Sequence, residues 1–208
     1  MSLAPRVIDA RGLACPQPVI LTRKALAEGG PGQILVIVDS PASRENVVRF
    51  ATHAGCAVER VEESGDEARI LIRPSGSEAL PPPAGAPCDA PGLPKVDPDI
   101  RTLLLTSRTL GRGDDELGAL LMRGFLYTLT ESGNLPRRLI LMNGGVLLAI
   151  EGSEHLVNLE RLAGLGVEIL ACGTCLEFHK VREKLSAGRV TNMQEIAGCL
   201  LEGRALSL

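Results

Sequence analysis

The segment Asp9-Ala10-Arg11-Gly12-Leu13-Ala14-Cys15-Pro16-Gln17-Pro18-Val19-Ile20 constrains this chain more than any other. A short segment, Arg6 to Asp9, reads as a strand that enters a glycine turn at Gly12. Cys15 then stands at the start of a helix. Pro16 suits the first helical position, because its fixed φ is helical and its missing N–H has no partner there anyway. Pro18 still falls within the first turn, whose N–H groups lack intrahelical acceptors. The two prolines therefore place the helix start rather than break a helix. A thiol at that point feels the positive end of the helix dipole, which favours thiolate, the nucleophilic form. Arg11, Arg23 and Lys24 add to the effect and Asp9 opposes it. On spacing alone, a reactive carrier cysteine and a small apolar residue packed under a helix end both remain open.

The residues that follow continue one pattern. The helix runs from about Pro16 to Glu28, with Val19, Thr22 and Leu26 on one face, and Gly29-Gly30-Pro31-Gly32 ends it. Ile34-Leu35-Val36-Ile37-Val38 is a β-branched run that reads as a buried strand. Ser40-Pro41 is an N-cap followed by a first helical position. Val47, Phe50, Ala51 and Ala54 then follow the spacing of a buried helix face, and Gly55 stops that helix. Val58–Glu62 and Arg69–Ile72 are two strands joined by a Ser64-Gly65-Asp66 turn. The order β-α-β-α-β-β predicts a two-layer sandwich over residues 4–73, with two helices on one face of a four-stranded sheet. Cys56 reads as structural.

Gly-Leu-Ala-Cys-Pro-Gln-Pro, at Gly12 to Pro18, resembles the Cys-Pro-x-Pro signature of the TusA/SirA family of sulfur-carrier domains, and the resemblance extends over residues 6–73. It implies that Cys15 carries sulfur as a persulfide, with Arg11, Gly12, Pro16 and Pro18 shaping the site. It also implies a sulfur-donor protein, such as a cysteine desulfurase, and a downstream acceptor as partners.

Pro74 to Pro98 changes character. It holds the consecutive prolines Pro81, Pro82 and Pro83 and the glycines Gly76, Gly85 and Gly92, and it reads as an interdomain linker. Cys88 within it reads as a thiol without a purpose. A second domain, residues 99–208, opens on the strand Leu103-Leu104-Leu105. After a glycine-containing loop, Asp114, Asp115 and Glu116 read as helix N-terminal acids rather than catalytic carboxylates. The helix that follows to Glu131 is apolar on two sides. One row is Leu117, Leu120, Leu121 and Gly124; the other is Ala119, Met122, Leu126 and Leu129. One side packs on its own sheet and the other predicts a subunit interface, hence a homo-oligomer.

Arg138–Met142 reads as the next strand, followed by Asn143-Gly144-Gly145, which is a turn between apolar runs or a place where backbone approaches a ligand. Ser153 caps a helix bearing Leu156, Leu159 and Ala163. Val167–Ala171 is a strand that runs into Cys172-Gly173-Thr174-Cys175. A helix from Glu177 to Leu185, a short strand at Arg189-Val190 and a last helix behind a Thr191-Asn192-Met193-Gln194 capping box complete the chain. Alternating strands and helices predict a parallel α/β sheet covered on both faces, three layers in all.

Cys172 and Cys175 sit beyond the carboxyl end of a strand, where α/β sheets gather their chemistry. Cys-x-x-Cys permits a redox pair, a site for sulfur or selenium, or two buried cysteines in a tight turn. His179 extends the spacing toward a metal site, but a structural zinc site takes four ligands and no second cysteine pair is present, so no metal and no cofactor are expected. The segments Asn-Gly-Gly-Val and Ala-Cys-Gly-Thr-Cys-Leu-Glu-Phe make residues 99–208 similar to DsrE-type domains. These relay sulfur through a cysteine that follows a strand, and they form oligomers. That likeness implies roles for Cys172 and Cys175, supported by Asn143, Gly144 and Gly173. The two domains in this order resemble the YedF-type sulfurtransferase-like proteins linked with selenium metabolism.

Aromatic residues make up 2% of the chain, with no Trp and one Tyr, which argues against stacking platforms for single-stranded nucleic acid. A net charge of -3 gives no electrostatic case for nucleic acid or anionic membrane. The longest apolar stretch, Leu139–Ile150, is too short to span a bilayer. No basic segment followed by a long apolar one opens the sequence, so a cytoplasmic location is expected and the six cysteines should be mostly reduced. The leading expectation is a sulfur (or selenium) carrier that accepts a persulfide on Cys15 and passes it to Cys172, with Cys175 resolving it. The rivals are a non-enzymatic adaptor of a sulfur relay and a thiol-disulfide oxidoreductase using Cys172 and Cys175.

Overall fold

The structure, a computed structural model, describes residues 4–28, 32–74, 100–131 and 135–208. The proline-rich stretch beyond Pro74, with Cys88, and the turn residues Gly29 to Pro31 lie outside the described residues. The chain divides into two units, Met1–Pro82 and Pro83–Leu208.

In the first unit, β1 (Arg6–Asp9), α1 (Gln17–Ala27), β2 (Ile34–Val38), α2 (Pro41–His53), β3 (Ala57–Ser64) and β4 (Glu67–Arg73) follow one another in the expected order. The sheet order is β1-β2-β4-β3. Strands β1 and β2 are parallel, with Arg6 beside Ile34 and Asp9 beside Ile37. Parallel neighbours need a crossover, and α1 supplies it. Strand β4 lies antiparallel to both β2 and β3. Burial in β2 alternates: Ile34, Val36 and Val38 are buried, while Leu35 and Ile37 are half-buried. The continuous apolar run is therefore not equally enclosed on both sides. Ala68, Ile70 and Ile72 of β4 face the same cluster, which Val47 and Ala51 of α2 and Ala25 and Leu26 of α1 complete. Each fully buried Val or Ile contributes about 1.5–3 kcal/mol, so this cluster is what fixes both helices against the strands.

The start of α1 differs from the sequence expectation. Pro16 is the N-cap, with φ -100° and ψ 11°, and helical geometry begins at Gln17; the Cys15–Pro16 peptide is cis. Pro18 is in the first turn, as its missing N–H allows. Thr22, fully buried, donates its hydroxyl to the Pro18 carbonyl at 2.8 Å. At α2 the cap is as expected: Ser40 accepts from the Ser43 N–H at 3.2 Å, and Pro41 opens the helix.

The second unit contains β5 (Ile100–Leu105), α3 (Asp115–Thr130), β6 (Arg138–Leu141), a 3₁₀ helix (Asn143–Ala149), α4 (Leu156–Gly164), β7 (Glu168–Cys172), α5 (Gly173–Phe178), β8 (Arg189–Thr191), α6 (Met193–Leu201) and β9 (Arg204–Ser207). The order is β8-β7-β6-β5-β9, and every pairing is parallel. Strand β9 was not expected. All four of its residues are exposed, so it has no apolar signature, and it is held by main-chain bonds that continue to Leu208 N–H and Leu104 O at 2.9 Å. The core gathers Leu103, Leu105, Met122, Leu126, Leu139, Leu141, Leu148, Leu159 and Leu170.

Helix α3 separates its two apolar rows. Met122 and Leu126 are buried, while Leu117, Leu120 and Leu121 are each about half exposed, at 54%, 47% and 46%. Asp114 caps it by accepting from the Leu117 N–H at 2.8 Å. Four boundaries are corrected. Asn143-Gly144-Gly145 opens a 3₁₀ helix rather than a plain turn, because Val146, Leu148 and Ala149 must reach the core. His155, not Ser153, is the N-cap of α4; Ser153, two residues earlier, accepts from the His155 N–H with its Oγ at 3.2 Å. The helix expected over Glu177–Leu185 is α5 followed by a separate 3₁₀ turn at Arg182–Lys184. At α6 the cap is Asn192, which accepts from the Glu195 N–H at 3.0 Å, one position beyond the expected Thr191.

Candidate functional site

Cys15 lies in the connection between β1 and α1, and its thiol is exposed. That connection is tied to the end of β2. Gly12 adopts φ +70°, a conformation that favours glycine, and its N–H donates to Asp39 Oδ2 at 2.6 Å. Gln17 N–H donates to the Ala14 carbonyl at 3.0 Å, which closes the last turn before the helix. Arg11 grips the Asp9 carboxylate with Nε and NH2, at 2.9 and 2.6 Å, and reaches Glu67 with NH1 at 3.1 Å. The Arg11 side chain holds the Asp9 carboxyl at about 2, well below the usual carboxylate range. Arg11 and Asp9 thus offset each other, and Arg11 braces the turn rather than presenting a free charge to Cys15.

The partner of Cys15 comes from α2. Asn46 Nδ2 approaches Cys15 Sγ at 3.7 Å, and Arg49 NH2 donates to Asn46 Oδ1 at 2.5 Å. Sequence reasoning passed over both residues. Nothing in the spacing of an amphipathic helix says which of its polar residues meets a thiol on another element.

In the second unit, β6 and β7 are parallel neighbours, so Asn143 and Cys172 emerge side by side at their carboxyl ends. Asn143 has φ +48°, a left-handed conformation that asparagine tolerates better than most residues. Its N–H donates to Cys175 Sγ at 3.1 Å. Cys172 caps α5 and is 2% exposed, whereas Cys175 is half-buried. Burial pushes the Cys175 thiol up; the Cys172 thiol beside it adds to the rise, and the Asn143 N–H opposes it.

The glycines divide sharply. A Cβ on Gly173 would lie 3.1 Å from Val190 Cγ1 and 3.2 Å from the Thr191 carbonyl, so that position is closely packed. A Cβ on Gly144 would meet nothing nearer than 3.8 Å. On Gly145, read as part of the turn but not among the expected site residues, it would fall 2.2 Å from the Leu105 carbonyl oxygen.

His179 ends α5 with its ring edge-on to Phe178, the centroids 5.3 Å apart. Among the described residues, no group of three or more His, Cys, Asp or Glu is placed to hold a metal. The five described cysteines are all unpaired, with Cys199 buried in α6 and Cys56 half-buried. A cleft of about 520 Å³ runs past Gly173, Thr174, Glu177, Arg182, Arg189 and Glu195. Its cations are already matched, Arg182 by Glu177 at 2.7 Å and Arg189 by Glu168 at 2.7 Å and by Glu195. A second cleft of about 600 Å³, with Arg108, Asp115, Leu147, Ile150, Glu151 and His155 among its walls, contains neither cysteine. Among the described residues, no helix is long and apolar enough to cross a membrane.

Residues 6–74 match the family model described as Sulfurtransferase TusA. Over 74 residues the chain is 39% identical to a putative sulfur carrier protein of Methanocaldococcus jannaschii, covering 35% of this chain and 99% of that relative. Through its first unit, the chain belongs to the TusA family. The SirA-like protein of Desulfitobacterium hafniense is also 39% identical, over 32% of this chain and 93% of its own, with a TM-score of 0.30. Two further solved structures are similar at lower identity. The ychN protein of E. coli is 17% identical over 52% of this chain and 99% of its own, with a TM-score of 0.41. A protein of unknown function from Methanobacterium thermoautotrophicum is 20% identical over 53% and 100%, with a TM-score of 0.40. The TusA-family match includes the whole Gly12–Pro18 motif, so Cys15, Asn46 and Arg49 all lie within it.

Proposed function

We propose that the chain is a cytoplasmic sulfur (or selenium) carrier in which Cys15 holds sulfur as a persulfide. The observation that supports this most is the TusA-family match across a motif whose cysteine is exposed. The Cys15 thiolate attacks the outer sulfur of a donor persulfide, R–S–SH. A Cys15–S bond to that sulfur forms, the donor S–S bond breaks, and the donor leaves as R–S⁻. A cysteine desulfurase fits the donor role, and a downstream thiol protein the acceptor.

In this reading the first unit is a two-layer β-α-β-α-β-β sandwich over residues 4–73, and residues 74–98 join it to a three-layer DsrE-like domain over 99–208. That pairing is the YedF type. The Asn143–Cys175 contact supports a second sulfur site. Because Cys172 is buried, Cys175 takes the receiving role: its thiolate attacks the outer sulfur of the Cys15 persulfide and Cys15 leaves as thiolate. Attack of the Cys172 thiolate on the inner sulfur of the Cys175 persulfide then forms the disulfide and releases HS⁻. Asn143 and Gly173 shape this site. The exposed row Leu117, Leu120 and Leu121 fits a homo-oligomer interface.

The closeness of the two thiols at α5 favours one rival, a thiol-disulfide oxidoreductase. To separate the two, Cys15 is loaded with labelled sulfur in the intact chain and the label is followed at several protein dilutions. A relay predicts label on Cys175 at a rate independent of dilution. A fully loaded Cys15 with no label on either cysteine of the second unit contradicts it and leaves that unit as a binding or redox module.

A further inference from the structure

We infer that Asn46, oriented by Arg49, is a positioning residue that aims the Cys15 sulfur and donates to the sulfur it carries. The inference rests on the sulfur-carrier reading above.

An exposed cysteine side chain has three staggered χ1 wells open to it. Nothing in the β1–α1 turn selects one: the turn's hydrogen bonds, Gly12 to Asp39 and Gln17 to Ala14, are made by backbone and not by the thiol. The selecting contact comes from α2, where Asn46 Nδ2 stands 3.7 Å from Sγ. An amide presents a donor end and an acceptor end, and which end faces the sulfur decides whether the contact attracts an anion or repels it. Here Arg49 decides. A guanidinium only donates, and its NH2 lies 2.5 Å from Asn46 Oδ1. Turned over, the amide would set donor against donor. Oδ1 is therefore committed to Arg49, and Nδ2 faces Cys15.

The placement of the pair suits this task. Asn46 and Arg49 are one helical turn apart on α2, so their side chains meet on the same face. Asn46 is half-buried, which limits its own motion, while Arg49 is exposed. Among the described residues Arg49 has no ion-pair partner, unlike Arg11, whose charge Asp9 and Glu67 absorb. No carboxylate among them therefore draws the guanidinium away from Asn46 Oδ1, and its hold on the amide is undivided. When Cys15 holds a persulfide, negative charge resides on the outer sulfur. The Nδ2 group carries two hydrogens, so one donor group serves both the inner and the outer sulfur.

A merely structural role is distinguishable. Asn46 caps no helix and lies mid-helix, where asparagine is a poor helix former, so replacing it leaves folding intact. The experiment uses the full chain and its variants Asn46→Leu, Asn46→Gln, Arg49→Leu, and the Asn46→Leu/Arg49→Leu double variant. Persulfide formation on Cys15 from glutathione persulfide is read by peptide mass spectrometry at several donor concentrations, with iodoacetamide alkylation of Cys15 and thermal melts alongside. Asn46→Leu is expected to melt like the parent and to slow loading at saturating donor about tenfold, the loss of one charge-assisted hydrogen bond. Asn46→Gln, which keeps a donor, recovers part of the rate. Arg49→Leu slows loading in the parent but adds nothing in the Asn46→Leu background, since it acts through that amide. Parent-like loading by Asn46→Leu, or equal slowing by Arg49→Leu in both backgrounds, overturns the inference. If the parent itself takes no sulfur, the carrier reading fails instead. The alkylation arm then decides the positioning alone: slower alkylation in Asn46→Leu upholds it, and an unchanged rate overturns it.

Discussion

Gly145→Ala offers a demanding test of how the second unit builds its cysteine site. A Cβ at this position would sit 2.2 Å from the Leu105 carbonyl oxygen and 2.9 Å from its carbon, both backbone atoms at the end of β5. The 3₁₀ helix must retreat by roughly 1 Å to restore an ordinary contact. The same carbonyl accepts the Met142 N–H at 3.0 Å, so retreat stretches that bond too. Overpacking against a rigid partner costs about 1–3 kcal/mol and the weakened bond about 1 more, a loss of roughly 2–4 kcal/mol. The adjacent Gly144→Ala is the control. Its Cβ finds nothing nearer than 3.8 Å, so it should stay within about 0.5 kcal/mol of the parent. The chain has one tyrosine and no tryptophan, and that tyrosine, Tyr127, lies in α3, so tyrosine emission during urea unfolding reports the second unit alone. Because Asn143 begins the same 3₁₀ helix, Gly145→Ala should also change the alkylation rate of Cys175. Equal stabilities for the two alanine variants would refute the packing argument.

The Cys175 thiol, raised by burial and by Cys172, should titrate above an ordinary thiol when alkylation of its peptide is followed against pH, and Cys172→Ala should bring the midpoint down; an ordinary midpoint in the parent would contradict the buried geometry. Arg189 and Thr191 hold the Glu195 carboxyl at about 2, so its pairing stabilises the fold above the ordinary carboxylate range and fades as pH falls toward 2. NMR titration should show that midpoint, and Arg189→Leu should return it toward the ordinary range. Burial depresses His155, so the unfolded chain takes up a proton there before the folded one does. Stability of the second unit should therefore fall as pH drops below about 6.5, and His155→Gln should flatten that fall in pH-dependent melts; an unchanged slope would count against a buried neutral imidazole.

The first unit was largely legible because its signals are local. The apolar run Ile34–Val38, the Ser40-Pro41 cap and the Ser64-Gly65-Asp66 turn each depend on a few adjacent residues, and the element order follows from them, though only the structure shows that burial alternates along the run. Contacts between elements were not legible. Asn46 meets Cys15 from 31 positions away, and no periodicity marks it. Arg11, adjacent in sequence to the cysteine segment, turns instead onto Asp9 and Glu67. In the second unit the Gly144-Gly145 pair read as a plain turn or an approach to a ligand, and only the register of the 3₁₀ helix shows that Gly145 lies against the backbone of β5. Cys172 and Cys175 were visible as a pair; which is buried depends on where α5 begins. Strand β9 escaped notice because its residues are exposed and only its main chain pairs.

The most direct test of the account is the mass of the Cys15 peptide after the intact chain is incubated with a cysteine desulfurase and cysteine, then digested without reductant. The account predicts a gain equal to the mass of one sulfur atom on that peptide, removed by dithiothreitol and abolished in Cys15→Ser. A Cys15 peptide of unchanged mass, with sulfur present on the desulfurase itself, would contradict the claim that this cysteine carries sulfur.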